Sequence, residues 1–320
     1  MSTTPPVTGE SKVVAVTGAT GFVGANLIHQ LARRGWDVRA LTRRPPHKLL
    51  DSGITWVPGS LEDANSLATL VRGASACIHV AGAIKGRNRD DFAKANVGGT
   101  ERVLNACKNS GVERYIHVSS LAAREPDLSD YAWSKREAEE AVRALADGHW
   151  SMVRPPAVYG PRDRETLSLF QAAKLGLAPL PNTQARASLI HVNDLSAALI
   201  ASLEADSALH GHVVDVHDGQ PGGYLLADLY RQIGSVLGKR VMLVPVPGLL
   251  LRGIGQANAV LAPFLGRVPM VTPGKVRELM HPDWTTQDDT LNRLAGWQPS
   301  ITAADGLAAT ARWYEAEGWL

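Results

Sequence analysis

Residues 13–24 read VVAVTGATGFVG, and this stretch decides the fold. Val13 to Val16 form an apolar run of the kind a buried strand needs. Gly18, Gly21 and Gly24 follow, and then Leu27, Ile28 and Leu31 mark one face of a helix that ends near Gly35. Glycine lets a backbone turn tightly and come close to a pyrophosphate, whose charge suits a helix N-terminus. The GxxGxxG spacing differs from the GxGxxG of many dinucleotide folds, so its meaning rests on the strand–turn–helix context. Gly18, Thr20, Gly21, Phe22, Val23 and Gly24 are the candidate cofactor-binding residues of this loop.

Outward from this unit the same alternation repeats. Strands are expected at Val38–Leu41, Thr55–Val57, Ala76–Val80, Tyr115–Val118 and Ser151–Val153. Helices are expected near Asp63–Val71, Val97–Cys107 and Ser134–Leu145. Such β-α alternation predicts an α/β fold with a doubly wound parallel Rossmann sheet. After Pro155 the pattern loosens, with prolines at 155, 156, 161, 179 and 181. Ser188–Val192 reads as a return to the sheet and Val213–Val216 as its last strand. The expected division is a dinucleotide-binding domain over 12–158 and 187–218. A smaller, discontinuous C-terminal substrate lobe takes 159–186 and 219–320, and residues 1–11 read as a disordered tail.

Composition narrows the classes. The chain has 320 residues, 45% of them hydrophobic, enough for a sizeable core. A net charge of +2 gives no case for nucleic acid or an anionic membrane. Cys77 and Cys107 both sit in apolar surroundings and form neither a disulfide framework nor a metal cluster, so a cytoplasmic location is expected. No metal-ligand spacing is present. The most apolar region, 241–264, is interrupted by Arg252, Gln256, Asn258 and prolines, and reads as a helix pair of the lobe, with no membrane partner expected.

The chemistry is expected at residues 131–135, YAWSK. On a helix Tyr131 and Lys135 share a face. An ammonium beside a phenol favours the phenolate and makes tyrosine usable in acid–base work. Eleven residues earlier Ser120 ends the strand of YIHVSS, at the ligand crevice of an open sheet, where a hydroxyl can hold a substrate oxygen. The second strand ends ALTRR at 40–44 with no acid. Arg43 and Arg44 there favour NADP(H) over NAD(H), because an arginine accommodates the 2′-phosphate.

Together these motifs resemble the extended short-chain dehydrogenase/reductases, also called the NAD-dependent epimerase/dehydratase family. Besides the glycine loop, HVAG at 79–82, NVGGT at 96–100, the Ser-Ser and Tyr-x-x-x-Lys group, RPPAVYGP at 154–161 and IHVNDL at 190–195 carry the likeness in the same order. The resemblance implies that Tyr131 transfers the proton, that Lys135 lowers its pKa and holds the nicotinamide ribose, and that Ser120 bonds the reacting oxygen. Asn96 would support the site, Ala81 and Gly82 would let the cofactor pass, and Pro155 and Val158 would flank the nicotinamide. Ser60-Leu61 stands where the family usually has Asp-Leu for the adenine. A homodimer through the helices around Asn96–Cys107 and Ser134–Leu145 is also implied.

The expected activity is carbonyl–alcohol interconversion on a small, largely apolar substrate, as in dihydroflavonol-reductase-like and 3β-hydroxysteroid-dehydrogenase-like members. The alternative is a nucleotide-sugar epimerase or dehydratase. Against it, QARASLIHV at 184–192 puts Arg186 one residue out of the register used by nucleotide-sugar members. A third class, a nicotinamide-binding sensor, would need no proton donor.

Overall fold

The computed structural model describes residues 12–44, 53–264 and 272–320; the tail expected over 1–11 lies outside them. Strands form at β1 Val13–Thr17, β2 Asp37–Thr42, β3 Ile54–Pro58, β4 Ala76–His79, β5 Arg114–Val118, β6 His149–Arg154 and β7 Val213–Asp215. They make one parallel sheet in the order β7-β6-β5-β4-β1-β2-β3. The order reverses between β1 and β4, so the carboxyl ends of these strands open a crevice.

Helices α1 Phe22–Arg33, α2 Ala64–Val71, α3 Gly98–Asn109, α4 Asp130–Leu145 and α5 Val192–Glu204 cover the sheet. Alternation along β1 sends Val14 and Val16 to one face, against Leu27, Ile28 and Leu31 of α1 and Leu195 and Leu199 of α5. Ala15 points to the other face, with Leu67 and Leu70 of α2, Val103 and Leu104 of α3, and Val142 of α4. Burial on both faces is why the strands read as continuous apolar runs. Each fully buried leucine contributes about 1.5–3 kcal/mol. Cys77 and Cys107 lie in the second face as free thiols.

The lobe has its own core, built on Tyr159, Phe170, Leu229, Ile233, Leu307 and Tyr314. Two sequence expectations differ here. Leu189–His191 pairs with Ala157–Tyr159 rather than with the main sheet, because β6 is already flanked by β5 and β7. Residues 241–264 give one strand, Met242–Pro245, and one helix, Gly248–Phe264, instead of a helix pair. Pro245 and Pro247 close the strand and precede the helix, where a missing N–H is tolerated. In the lobe core Trp313 and Trp319 pack with Tyr314. Trp297 packs instead on the sheet core beside Leu294. Among the described residues no helix is long and apolar enough to cross a membrane.

Candidate active site

The glycine loop closes on itself before α1 begins. Gly18 has φ +71, and a Cβ there would lie 2.6 Å from the Ala81 nitrogen. A Cβ at Gly24 would lie 2.1 Å from the Gly18 carbonyl oxygen. Only glycine fits either place, so β1, the loop and the end of β4 pack backbone on backbone. Thr17 Oγ1 joins the same strands, 2.6 Å from His79 Nδ1, and accepts from the Ala81 nitrogen at 3.3 Å. The helix cap is Gly21, with no side-chain cap bond and no acid in the first turn of α1. Thr20 and Gly21 are exposed, and Phe22 and Val23 are half-buried as the first helical residues. A cradle that a Cβ would fill, facing an uncapped helix N-terminus, fits a pyrophosphate.

Asn96 stands in the π turn Ala93–Val97 that leads into α3. Its Oδ1 accepts from the Ala83 nitrogen at 2.7 Å, and its Nδ2 donates to the Ala83 carbonyl at 3.0 Å and to Ser134 Oγ at 2.8 Å. Asn96 thereby locks the segment after β4 to α4. A Cβ at Gly82 would lie 3.1 Å from Asn96 Oδ1 and 3.9 Å from Lys135 Nζ, so the loop passes beside that ammonium. Lys135 is 6% exposed and donates to the Val118 carbonyl at 2.7 Å. Burial pulls its pKa down to about 8, against the attraction of Glu139.

Tyr131 is one turn earlier on α4, with the Phe92 ring 6.1 Å from its own. Desolvation pushes the phenol up to about 12; the hydrogen bond with Ser120 opposes the rise and the charge of Glu278 adds to it. The expectation of a phenol lowered by Lys135 is therefore not met in the protein alone, where burial dominates. At neutral pH Tyr131 is a protonated donor, the form that carbonyl reduction requires. Ser120 also caps the turn Leu121–Arg124, accepting from the Ala122 nitrogen at 3.2 Å.

Sequence reasoning missed several polar supports. Ser119 Oγ donates to Glu139 Oε1 at 2.5 Å, and Arg154 grips the same carboxylate through Nε at 2.7 Å and Nη2 at 2.6 Å. Glu139 is fully buried, so this bidentate pair fixes α4 to β6. The spacing Lys135 to Glu139, one turn on one face, is the signal that could have found it. Ser129 caps α4, accepting from the Ala132 nitrogen at 2.9 Å, and donates to Glu278 Oε1. No local pattern signals a partner 149 residues away.

Toward the adenine end, Arg43 is exposed at the end of β2, and its charge helps hold the Glu62 carboxyl low, after the larger effect of the Ser60 hydroxyl. Ser60 and Leu61 are half-buried at the end of β3. Pro155 accepts from the Leu121 nitrogen at 2.9 Å, and Val158 packs on the sheet core. Lys85 pairs with Glu165 at 2.8 Å and Arg87 with Asp91 at 2.9 Å. The histidines of β4 and β5 are structural: burial pushes His79 down to about 3 and His117 well below its usual value.

Comparison with known proteins identifies the family and the fold. The profile of the NAD dependent epimerase/dehydratase family matches residues 14–216. A ceramide reductase from Caulobacter vibrioides is 41% identical, over 96% of this chain and 96% of its own. A 2-alkyl-3-oxoalkanoate reductase from Stenotrophomonas maltophilia is 26% identical, over 92% and 97%. In fold the chain is similar to UDP-glucuronic acid 4-epimerase from Bacillus cereus in complex with UDP-glucuronic acid and NAD, with a TM-score of 0.74 at 17% identity over 95% of this chain and 99% of that one. The chain belongs to the NAD-dependent epimerase/dehydratase family of extended short-chain dehydrogenase/reductases, and it is an NAD(P)-dependent oxidoreductase.

Proposed function

We propose that this protein is an NADP-linked reductase of long-chain, lipid-like ketones, with Tyr131 as the proton donor. One observation carries the choice of substrate. Arg186 donates from Nε to the Gly222 carbonyl at 2.8 Å and from Nη2 to the Gly223 carbonyl at 3.1 Å. Its guanidinium is engaged in holding the lobe's backbone. A buried diphosphate needs a free cation, because leaving it unpaired is costly. Lys85 and Arg87, in the loop after β4, are paired with Glu165 and Asp91. The likeness to a ceramide reductase over nearly the whole chain supports the same class and narrows it to a long-chain amide-bearing ketone.

The bound nicotinamide would supply the hydride. Gly18, Gly21 and Gly24 would hold its pyrophosphate, and Arg43 would contact a 2′-phosphate. Ser120 would bond the carbonyl oxygen and polarise it. Tyr131, protonated at neutral pH, would give its proton to that oxygen as negative charge develops there. Lys135, charged below about pH 8, would favour the phenolate left behind. Asn96 would keep the loop after β4 in place through Ala83 and Ser134. NADPH oxidation should be followed with keto-ceramides, medium-chain 3-oxoalkanoates and UDP-sugars. Turnover of the long-chain ketones supports the proposal, and turnover of UDP-sugars alone contradicts it.

A further inference from the structure

We propose that the lobe carries a docking face for the surface of an anionic lipid bilayer. The strands Leu177–Leu180 and Met242–Pro245 pair in parallel, with Met242 opposite Leu177. One side of this ribbon is core, since Ala178, Leu180 and Leu243 join the lobe cluster. The other side faces solvent: Leu177 is 38% exposed and Met242 64%, with Leu175 beside them at 77%. The ribbon runs directly into the helix Gly248–Phe264, where Leu249 is 81%, Leu250 56% and Ile254 41% exposed. Single exposed apolar residues are ordinary; six on the ribbon, the turn that enters it and the adjoining helix mark a contact surface.

Charge identifies what the surface fits. Lys174, Lys239, Arg240 and Arg252 are all exposed within these segments. Residues 174–180 and 239–254 contain no aspartate or glutamate. Apolar side chains whose own segments carry cations and no acid match a bilayer interface with anionic headgroups, where each cation adds attraction. The sequence reading expected no membrane partner, from the small net charge and the lack of a spanning helix; a local cluster of cations and a surface contact depend on neither.

The face also stands beside the chemistry. A Cβ at Gly255 would lie 3.0 Å from Val276 Cγ2, and one at Gly248 would lie 2.8 Å from Met280 Cε, so the apolar helix packs on Pro273–Met280. That second helix holds the start of α4 through Ser129–Glu278 and through Arg277 Nε, 2.7 Å from the Leu128 carbonyl. One helix therefore separates the docking face from the N-terminus that bears Tyr131. A long-chain ketone resides in the bilayer, and this placement lets it pass to the site without crossing water. This purpose rests on the lipid-ketone reading; the surface contact itself does not.

The test is co-sedimentation of the full chain with sucrose-loaded vesicles. One set is phosphatidylcholine, the other phosphatidylcholine and phosphatidylglycerol in equal parts. The mixed vesicles should retain the protein at least about 10-fold better. L249S/L250S and R240E/R252E should each lower retention by about that factor, with unchanged circular dichroism and unchanged turnover of a short, water-soluble ketone. Absence of binding to both vesicles, or full retention of both variants, overturns the proposal. A concentration-dependent dimer that L249S/L250S abolishes, with no vesicle binding, overturns it in favour of a second copy of the chain. Reduction of a long-chain ketone in detergent without vesicle binding removes the docking face and leaves the reductase. Vesicle binding without ketone reduction supports the face and removes the reductase.

Discussion

Glu278, on a lobe helix, accepts a hydrogen bond from Ser129, the residue that caps the helix carrying Tyr131 and Lys135. The lobe and the helix bearing Tyr131 are thus joined by a buried contact, and the charge of Glu278 reaches the Tyr131 phenol. Glu278→Ala should lower stability by about 1.5–3 kcal/mol, the range of a hydrogen bond to a charged group. Glu278→Gln, which keeps an acceptor, should lose less. Thermal melting of the two variants measures this, and wild-type stability in both would show that the contact contributes nothing.

Tyr131→Phe removes the hydroxyl proposed to donate the proton and leaves the ring in place. The expected result is a fall in kcat of about 10²–10⁴ with cofactor affinity preserved. Steady-state turnover and calorimetric titration separate the two effects. Near-normal turnover would take Tyr131 out of the mechanism.

Acid should destabilise the fold through its buried histidines. The folded protein keeps His79 neutral down to about pH 3, and His117 is shifted in the same direction, both mainly by burial. The unfolded chain takes up these protons below about pH 6.5, so it binds more protons than the fold and stability falls as pH drops. The loss is about 1.4 kcal/mol per pH unit for each such histidine, from about pH 6.5 downward. Melting temperatures between pH 8 and pH 5 should show the decline. His117→Leu should flatten it, and an unchanged slope in that variant would point to other groups.

The proposed preference for NADP rests on Arg43. NADPH should bind more tightly than NADH, and Arg43→Ala should weaken NADPH by about 1–3 kcal/mol while leaving NADH nearly unchanged. Glu62 lies close enough to feel the charge of Arg43. Glu62→Gln should therefore strengthen NADPH binding slightly. Calorimetry on the three proteins decides the matter, and tighter NADH binding in the wild type contradicts the assignment.

Much of the fold was legible because its signals are local. A strand, three glycines and an amphipathic helix within residues 13–33 specify the first crossover, and the same grammar repeats through β6. The lobe was not legible in this way. Its ribbon joins Leu177 to Met242 across sixty-odd residues, and its proline-rich approach hid both strands. Asn96, Ser120, Tyr131 and Lys135 come together at the carboxyl ends of β4 and β5; spacing suggested the last three, and the family resemblance Asn96. The state of Tyr131 did not follow from spacing, because the i, i+4 pairing says nothing about the desolvation that outweighs it. Glu139 was within reach of helical periodicity, whereas Glu278 arrives only through the tertiary fold.

Net reduction of a ketone consumes free cofactor, so stoichiometry distinguishes it from epimerisation. With a long-chain ketone and a limiting amount of NADPH, cofactor consumed and alcohol formed should be counted in one reaction. The account predicts one NADPH oxidised for each alcohol formed, until the NADPH is exhausted. Product formed from a nucleotide sugar with no net change in cofactor, together with no oxidation in the presence of the ketone, would contradict it.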